Sequence, residues 1–399
     1  MATSSGTWEY RDRFGDRFGR TYFRRFGPGV VSSVGAGTYL GEPTAAADDR
    51  YREALVTALD AGVNLVDTAS NYRCGRSERV VGEALRAADA GRESVVLASK
   101  AGFLPFDGDR PDDPGQYVRE TFVDTGIVDP DRLVRGSHCI APGFVDAMLD
   151  RSLEAIGVES LDCYYVHNPE TQLAAHDRAT VYDRLERAFE TMERRRAAGD
   201  LGAYGVATWE AFRVPPDHDA FLDLGEVVAR AEAAAATVDA DEHGLRAVQL
   251  PFNVHMADAF TVAAHGGDRD GRSVAGDEDA ETGAEPESEA NTDTDANEGV
   301  NADGDAVSAL EFCHREGLSV FASASLGQGD LARQGSIPDD VDAQLAGDTP
   351  AQRALNFARS APGVTAALVG ASRVEHVREN VAAGTFDPLG ASAFDAVFE

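Results

Sequence analysis

The segment GVNLVDTASNYRCGRSERVVGEAL, residues 62–85, contains one complete strand-to-helix repeat. Its short apolar run, residues 63–68, is typical of a β-strand that is covered on both faces. A stretch with the apolar spacing of an amphipathic helix follows at residues 77–88. The segment therefore predicts a buried strand followed by a helix that crosses back over the sheet.

The same alternation recurs on both sides of this segment and gives eight strand–helix pairs. Amphipathic stretches at residues 49–59, 77–88, 145–156 and 181–197 lie between the apolar runs. Eight pairs favour an α/β fold of the (β/α)8 TIM-barrel type, although an open, doubly wound parallel sheet shows the same alternation. The predicted strands are residues 31–37, 63–68, 94–99, 161–166, 203–207, 247–251, 319–324 and 365–369.

Several segments lie outside the repeat. Residues 102–142 are too long for a simple connection and are interpreted as a substrate loop. Residues 266–306 contain 14 acidic residues, two arginines and no aromatic residue, so we expect an acidic, low-complexity and disordered insert. The sequence RFGDRFGRTYFRRFG, residues 13–27, predicts a small N-terminal β-hairpin that closes the barrel bottom, and the aromatic residues of the tail 385–399 predict that the tail docks.

The composition indicates an acidic protein, and its length allows one large α/β domain or two ordinary ones. The chain has 399 residues, is 43% hydrophobic and carries a formal net charge of −33. Such a charge argues against binding to nucleic acid or an anionic membrane and favours a halophilic cytoplasm, with an ordinary acidic protein that has one acidic loop as the alternative. We expect a single domain over residues 1–399, with a barrel core at about residues 27–383.

The distribution of cysteine and histidine predicts neither a disulfide framework nor a metal site. The four cysteines form no CxxC pair, and the histidines other than His167 and His376 show no ligand spacing, so we interpret them as surface or structural residues. No apolar run has the length of a signal peptide or a membrane span, which predicts a cytoplasmic protein.

One residue stands out by its rarity. Of the 36 basic residues, 35 are arginine, and Lys100 is the only lysine. A site that needs a compact, titratable amine cannot accept the bulky and permanently protonated guanidinium of arginine. Lys100 is therefore a candidate functional residue.

Three further side chains are predicted to meet Lys100. Asp67, Lys100 and His167 end the second, third and fourth predicted strands, and Tyr72 follows Asp67 by five residues. In a barrel, strand ends converge at the C-terminal face. Carbonyl reduction needs a proton donor, and a tyrosine can serve if its pKa falls toward the working pH. A lysine ammonium held by Asp67 is expected to lower the pKa of Tyr72 in this way. A neutral His167 can polarise the carbonyl.

Together with these residues, three motifs resemble the aldo/keto reductase family over residues 27–383, apart from the long inserts. They are the segment at residues 62–85, VVLASK ending at Lys100, and LDCYYVHNPE around His167. The resemblance implies an oxidoreductase that uses NADP(H), with NAD(H) as the alternative. It also implies catalytic roles for Asp67, Tyr72, Lys100 and His167, and a small-molecule carbonyl or alcohol substrate.

The resemblance also implies a set of cofactor-binding residues. The sequence departs from the family pattern at two sites: Ala207 and Thr208 replace its usual Ser-Asn pair, and Ser323 replaces a frequent aromatic residue. Arg373 is expected to pair with the 2′-phosphate of NADP(H). The expected cofactor-binding residues are Thr38, Thr208, Gln249, Ser325, Leu326, Gly327, Gly329, Ser372, Arg373, His376, Glu379 and Asn380.

Two other functions remain open at this point. A nicotinamide-binding regulatory subunit, as the potassium-channel β subunits of the same family exemplify, has the same residues but little turnover. A barrel lyase or isomerase that forms a Schiff base at Lys100 requires an unpaired lysine, and the predicted neighbours Asp67 and Tyr72 argue against it.

Overall fold

The computed structural model describes residues 1–266 and 306–398. In this part of the chain, the strands are β1 Phe23–Phe26, β2 Gly29–Ser32, β3 Val34–Gly37, β4 Leu65–Asp67, β5 Val96–Ala101, β6 Leu161–His167, β7 Leu201–Ala207, β8 Leu245–Pro251, β9 Ala263–His265, β10 Val307–Ser308, β11 Ser319–Ser323 and β12 Val364–Gly370. The α-helices are α1 Ser4–Phe14, α2 Ala45–Leu59, α3 Arg76–Ala87, α4 Pro114–Val118, α5 Pro142–Ile156, α6 Arg178–Ala198, α7 Leu224–Thr237, α8 Asp258–Thr261, α9 Ala309–Arg315, α10 Asp339–Asp342, α11 Pro350–Ser360, α12 Val374–Ala382 and α13 Ala391–Asp395.

Eight parallel strands form a closed barrel in the order β11-β12-β3-β4-β5-β6-β7-β8. The predicted (β/α)8 barrel is thus confirmed, and the open sheet is excluded. One boundary prediction is wrong: the first barrel strand begins at Val34, because residues 31 and 32 instead pair with β1.

The interior of the barrel is packed with apolar side chains, and this packing determines where the polar residues lie. The interior cluster includes Leu65, Ala98, Tyr165 and Ala247. Side chains on a strand alternate between its two faces, so the residue two positions later faces the same way. The side chains two positions after these four belong to Asp67, Lys100, His167 and Gln249, which therefore share the C-terminal end of the interior.

The predicted N-terminal hairpin is present and is formed by β1 and β2, so only the second half of residues 13–27 contributes to it. Phe26 of this hairpin packs edge to face against Phe321 inside the barrel at a centroid distance of 5.3 Å. The sequence pattern did not reveal α1, which begins at Ser4 after an N-cap hydrogen bond to Thr3. The Tyr10 hydroxyl of α1 donates a hydrogen bond to the Val63 carbonyl at 3.0 Å.

The predictions for the acidic insert and for the C-terminal tail fare differently in the structure. The acidic segment predicted at residues 266–306 lies, apart from its two end residues, outside the described part of the chain. Strands β9 and β10 flank it and pair antiparallel, with His265 opposite Val307. The tail docks as predicted, because Phe394 is fully buried and packs against Phe357 at 5.1 Å.

The predictions about cysteines and about membrane spans can also be compared with the structure. All four cysteines are free thiols. Among the described residues, no helix is long and apolar enough to span a membrane.

Candidate active site

The structure brings Asp67, Tyr72 and Lys100 into direct contact at the C-terminal end of the barrel. The Lys100 ammonium donates to Asp67 Oδ1 at 2.6 Å, to the Thr68 carbonyl at 2.9 Å and to Tyr72 Oη at 3.2 Å. The Tyr72 and His167 rings meet edge to face at a centroid distance of 5.9 Å. The four side chains thus form one cluster.

A tight turn after β4 places Tyr72 beside Lys100. Arg73, Cys74 and Gly75 have left-handed φ values of 49°, 56° and 78°. This conformation is unfavourable for arginine and cysteine, so surrounding contacts must stabilise it. The buried Arg73 guanidinium donates to Asp48 Oδ1 at 2.5 Å and to the Glu42 carbonyl at 3.2 Å. These contacts hold the turn against α2.

Gln249 takes part in the ion-pair network, whereas the resemblance implied that it contacts a cofactor. Its side-chain amide donates to Asp67 Oδ2 at 2.8 Å, so both carboxylate oxygens of Asp67 accept a hydrogen bond. Thr38 also belongs to this network, because its hydroxyl contacts the Thr68 hydroxyl at 2.9 Å. Both residues line the adjacent cavity as well.

The contacts of the Lys100 ammonium with Asp67 and Tyr72 argue against the Schiff-base alternative. Burial lowers the pKa of Lys100, but the Asp67 carboxylate and the Tyr72 oxygen outweigh burial, so the net pKa is raised. A Schiff base requires a neutral, nucleophilic amine. Lys100 is instead held as an ammonium ion.

The net pKa of Tyr72 differs in direction from the sequence-based prediction. Burial raises the pKa of the Tyr72 phenol above its ordinary value, and the Lys100 charge opposes burial without reversing the shift. The lysine contribution has the predicted sign, but the predicted net lowering is wrong. Tyr72 is therefore protonated at neutral pH, as a proton donor must be.

His167 is neutral, in agreement with the sequence-based hypothesis. Burial and then the Lys100 charge lower the pKa of His167 well below its ordinary value. Among the described residues, its buried Nδ1 has no hydrogen-bond partner, and the same holds for the buried Thr208 hydroxyl. Buried polar atoms are usually paired, so both atoms mark positions where a bound molecule can complete the hydrogen bonding.

A cavity of about 550 Å³ opens above the cluster. Its size and mixed lining suit a small-molecule site. The lining includes these residues that the sequence predicted for the site: Thr38, Asp67, Tyr72, His167, Thr208, Gln249, Ser325, Leu326 and Gly329.

The loop after β11 contributes one side of the cavity. Ala324, Gly327, Gln328 and Gly329 have positive φ values between 51° and 99°, so the loop winds tightly. Gly327 does not line the cavity itself, but its amide donates to the Ala324 carbonyl at 2.7 Å and stabilises the loop. Ser325 anchors the loop through a hydrogen bond of 2.9 Å to the Ala322 carbonyl.

The predicted residues at the start of α12 lie outside the lining of this cavity. Arg373 caps the helix and is exposed, His376 is also exposed, and Asn380 is buried. Gly370 and Val369, which precede the helix, do line the cavity, so α12 begins close to its rim. The remaining predicted residues, Ser372 and Glu379, are partly buried.

The sequence reasoning missed the aromatic rim of the cavity. Tyr39 and Trp209 line it and are 57% and 41% exposed, which is unusual for such large apolar side chains. Phe103 and Asn168 also line the cavity. Phe103 belongs to the predicted substrate loop, residues 102–142, but neither residue was singled out by the sequence. Tyr39 directly follows Thr38, and Trp209 directly follows Thr208. Their position next to predicted strand ends could therefore have identified both residues as part of the site.

A largely buried carboxylate supports the backbone next to Trp209. Glu170 Oε1 accepts hydrogen bonds from the Trp209 amide at 2.7 Å and the Glu210 amide at 3.2 Å. Burial raises the pKa of Glu170 to about 7, although these amides oppose the shift. Glu170 therefore binds its proton more tightly in the folded protein than in the unfolded protein.

This shift predicts a pH effect on stability. Because the folded pKa is raised, the contribution of Glu170 to the free energy of unfolding is full at low pH and decreases as pH rises through the folded value of about 7. Between about pH 5.5 and pH 8, the free energy of unfolding of the wild-type protein should fall by about 2 kcal/mol relative to that of Glu170→Gln. Urea unfolding of both proteins measures the difference, and parallel pH profiles would contradict the prediction.

Comparisons with known proteins agree with the barrel fold. Residues 33–215 match the model of the aldo/keto reductase family. The chain is 32% identical over 164 residues to a D-threo-aldose 1-dehydrogenase from Pseudomonas sp., covering 41% of this chain and 45% of that protein. It is 29% identical over 143 residues to an NADH-specific methylglyoxal reductase from Escherichia coli, covering 35% of this chain and 38% of the relative. Both matches span less than half of the relative's length.

Solved structures extend the similarity of the fold to almost the whole chain. An aldo/keto reductase from Klebsiella pneumoniae, solved in complex with NADP and acetate, superposes with a TM-score of 0.55 at 21% identity and covers 95% of both chains. The holo form of an aldo-keto reductase from Bacillus halodurans gives a TM-score of 0.57 at 17% identity, over 95% of this chain and 96% of that one. Residues 33–215 are thus similar in sequence to the aldo/keto reductase family, and the solved structures show the same fold over almost the whole chain.

Proposed function

We propose that this protein is an NADP(H)-dependent oxidoreductase that reduces an aldehyde or ketone to an alcohol, or catalyses the reverse reaction. The observation that carries the proposal is the Lys100 ammonium, which bridges Asp67 at 2.6 Å and Tyr72 at 3.2 Å beside the cavity. A fixed cation next to a protonated phenol suits a group that donates a proton to a developing alkoxide.

The cavity suits a nicotinamide cofactor. The unpartnered Thr208 hydroxyl can hydrogen-bond to a carboxamide group, and the tightly wound loop from Ser325 to Gly329 can present backbone amides to phosphates. The start of α12, with Arg373, suits the phosphate of the adenosine half. When bound, the reduced cofactor supplies the hydride. The Klebsiella structure with NADP supports this assignment, whereas the NADH-specific Escherichia coli relative keeps NAD(H) as the alternative.

The side chains of the cluster then have separate roles in reduction. Tyr72 donates its phenolic proton to the substrate oxygen, and Lys100 stabilises the phenolate that remains. Asp67 keeps the lysine charged and in place. The neutral His167 hydrogen-bonds to the substrate oxygen and orients the carbonyl. In the oxidative direction, the same groups act in reverse.

The direct test is a panel of aldehydes, ketones and alcohols, followed by nicotinamide absorbance in concentrated KCl. We expect turnover with NADPH or NADP⁺ for at least one substrate class. Tight NADPH binding without turnover on any carbonyl or alcohol would instead favour the regulatory-subunit alternative. An absence of both binding and turnover would overturn the proposal.

Cofactor preference gives a further prediction. Arg373→Ala should weaken NADPH binding about tenfold and leave NADH binding almost unchanged, because the guanidinium pairs only with the 2′-phosphate. Arg378→Ala is the matched control, since Arg378 is an exposed arginine further along the same helix. Fluorescence titration measures both affinities. An equal loss for NADPH and NADH would exclude the proposed role of Arg373.

The organisation and location of the chain are also inferred. We infer a single domain over residues 1–399, with the barrel core at about residues 27–383. The formal charge of −33 supports a role in a salt-rich cytoplasm, because a dense carboxylate surface stays hydrated when salt screens its self-repulsion.

A further inference from the structure

A second histidine, His138, lies directly behind the active-site cluster. It belongs to the long loop of residues 102–142, which folds back so that His138 forms an isolated antiparallel bridge with Phe103. The side chain of His138 is fully buried, and its Nε2 lies 2.8 Å from the carbonyl oxygen of His167. The loop therefore reaches the last residue of β6 through this imidazole.

Two further side chains determine which nitrogen of His138 carries the proton. Gln172 Nε2 donates to His138 Nδ1 at 2.7 Å, and the Arg184 guanidinium donates to Gln172 Oε1. Because arginine can only donate, the amide oxygen of Gln172 must face Arg184 and its NH2 group must face His138. His138 Nδ1 then accepts, and its Nε2–H donates to the His167 carbonyl.

His138 is neutral across the working pH range. Burial lowers its pKa to about 4, although the contact with the His167 carbonyl opposes the shift. Each hydrogen bond in the chain therefore keeps the same direction: Arg184 donates to Gln172, Gln172 to His138, and His138 to the carbonyl of His167.

Among the described residues, the buried Nδ1 of His167 has no hydrogen-bond partner that could orient the ring. Instead, Phe103 packs edge to face against both His167, at 5.3 Å, and His138, at 4.9 Å. Gly102 permits this close approach, since an added Cβ would lie 2.2 Å from the His167 carbonyl oxygen.

We propose that His138 is a positioning residue that fixes the end of β6 and the Phe103 ring, and thereby holds the His167 imidazole at the substrate carbonyl. This inference rests on the proposed function, because it assigns His138 a role in the orientation of the reacting group. It also links the conformation of the 102–142 loop to turnover, since both Phe103 and His138 belong to that loop. A misplacement of about 1 Å at a reacting group can cost on the order of 100-fold in rate.

A pair of substitutions separates the hydrogen bond from the volume of the side chain. His138→Met fills a similar space but removes the donor, whereas the amide nitrogen of His138→Gln can still reach the His167 carbonyl. We expect kcat to fall about tenfold in His138→Met, with the KM for NADPH unchanged within about twofold. His138→Gln should restore kcat to within about threefold of wild type. His314→Met, an exposed histidine on α9, is the control and should behave like wild type.

The outcomes distinguish this inference from the proposed function. A wild-type protein without turnover on any substrate would overturn the proposed function and, with it, the positioning role of His138. With an active wild type, an unchanged kcat in His138→Met, or equal losses in the Met and Gln variants, would overturn the positioning role. If His138→Met does not fold, Gln172→Met decides instead. We expect about a threefold loss of kcat in that variant at constant KM for NADPH, and wild-type kcat would refute the inference.

Discussion

Tyr72→Phe is expected to lower kcat for carbonyl reduction about 1,000-fold and to leave the Kd for NADPH within about twofold of wild type. The substitution removes only the hydroxyl oxygen, so the ring contact with His167 at 5.9 Å can remain. The substrate oxygen then has no acid within reach, whereas the proposed cofactor contacts do not involve Tyr72. Because burial raises the pKa of Tyr72, the phenol remains protonated at neutral pH and the loss should not depend on pH there.

Single-turnover absorbance measurements, with NADPH affinity determined separately by fluorescence, test this expectation. Tyr39→Phe is a matched control, since Tyr39 lines the same cavity and packs against Tyr72 at 5.0 Å without contacting Lys100. Turnover near the wild-type rate in Tyr72→Phe would remove Tyr72 from its assigned role. A large loss in both variants would indicate damage to the cavity rather than loss of the acid.

Lys100→Arg should also reduce turnover by about 1,000-fold, although it keeps the positive charge. The Lys100 ammonium is fully buried and makes three hydrogen bonds between 2.6 and 3.2 Å. A planar guanidinium is larger and cannot satisfy this geometry without displacing Asp67 or Tyr72. The composition gives the test particular force, because arginine supplies every other basic residue among the 36 in the chain.

Lys100→Met separates charge from shape. It should be equally inactive and, in addition, lose about 3–5 kcal/mol of stability, because Asp67 is left buried without its cation. Urea unfolding and turnover assays of both variants measure the two effects. An active Lys100→Arg enzyme would show that the scarcity of lysine does not mark a position that requires a lysine. Unchanged stability in Lys100→Met would contradict the claim that the buried Asp67 needs the lysine cation.

The sequence was sufficient to predict the barrel and its cluster of reactive side chains. The eight strand segments are continuously apolar because each strand is covered on both faces, and this pattern can be recognised without any knowledge of strand pairing. Asp67, Lys100 and His167 end such runs, so the geometry of the barrel alone brings them together. Lys100 was also marked by its rarity.

The features that the sequence did not reveal depend on tertiary packing. His138 lies in a loop with no periodic pattern, and its contact with His167 arises only because residues 103 and 138 form a bridge. Gln249 hydrogen-bonds to Asp67 across the barrel, between strands that are far apart in the sequence. The net pKa of Tyr72 depends on the balance between burial and the Lys100 charge, and burial cannot be read from residue types.

The pairing of His265 with Val307 has a consequence for how this protein can vary. Opposite residues in an antiparallel pair have Cα atoms about 5 Å apart, so the chain leaves the barrel and returns to it at nearly the same point. The entropic cost of closing a connection grows only slowly with its length. Evolution can therefore lengthen, shorten or replace the residues between these two positions without moving α9 or the strand that follows it, which makes this point of the barrel a natural place for new sequence to accumulate.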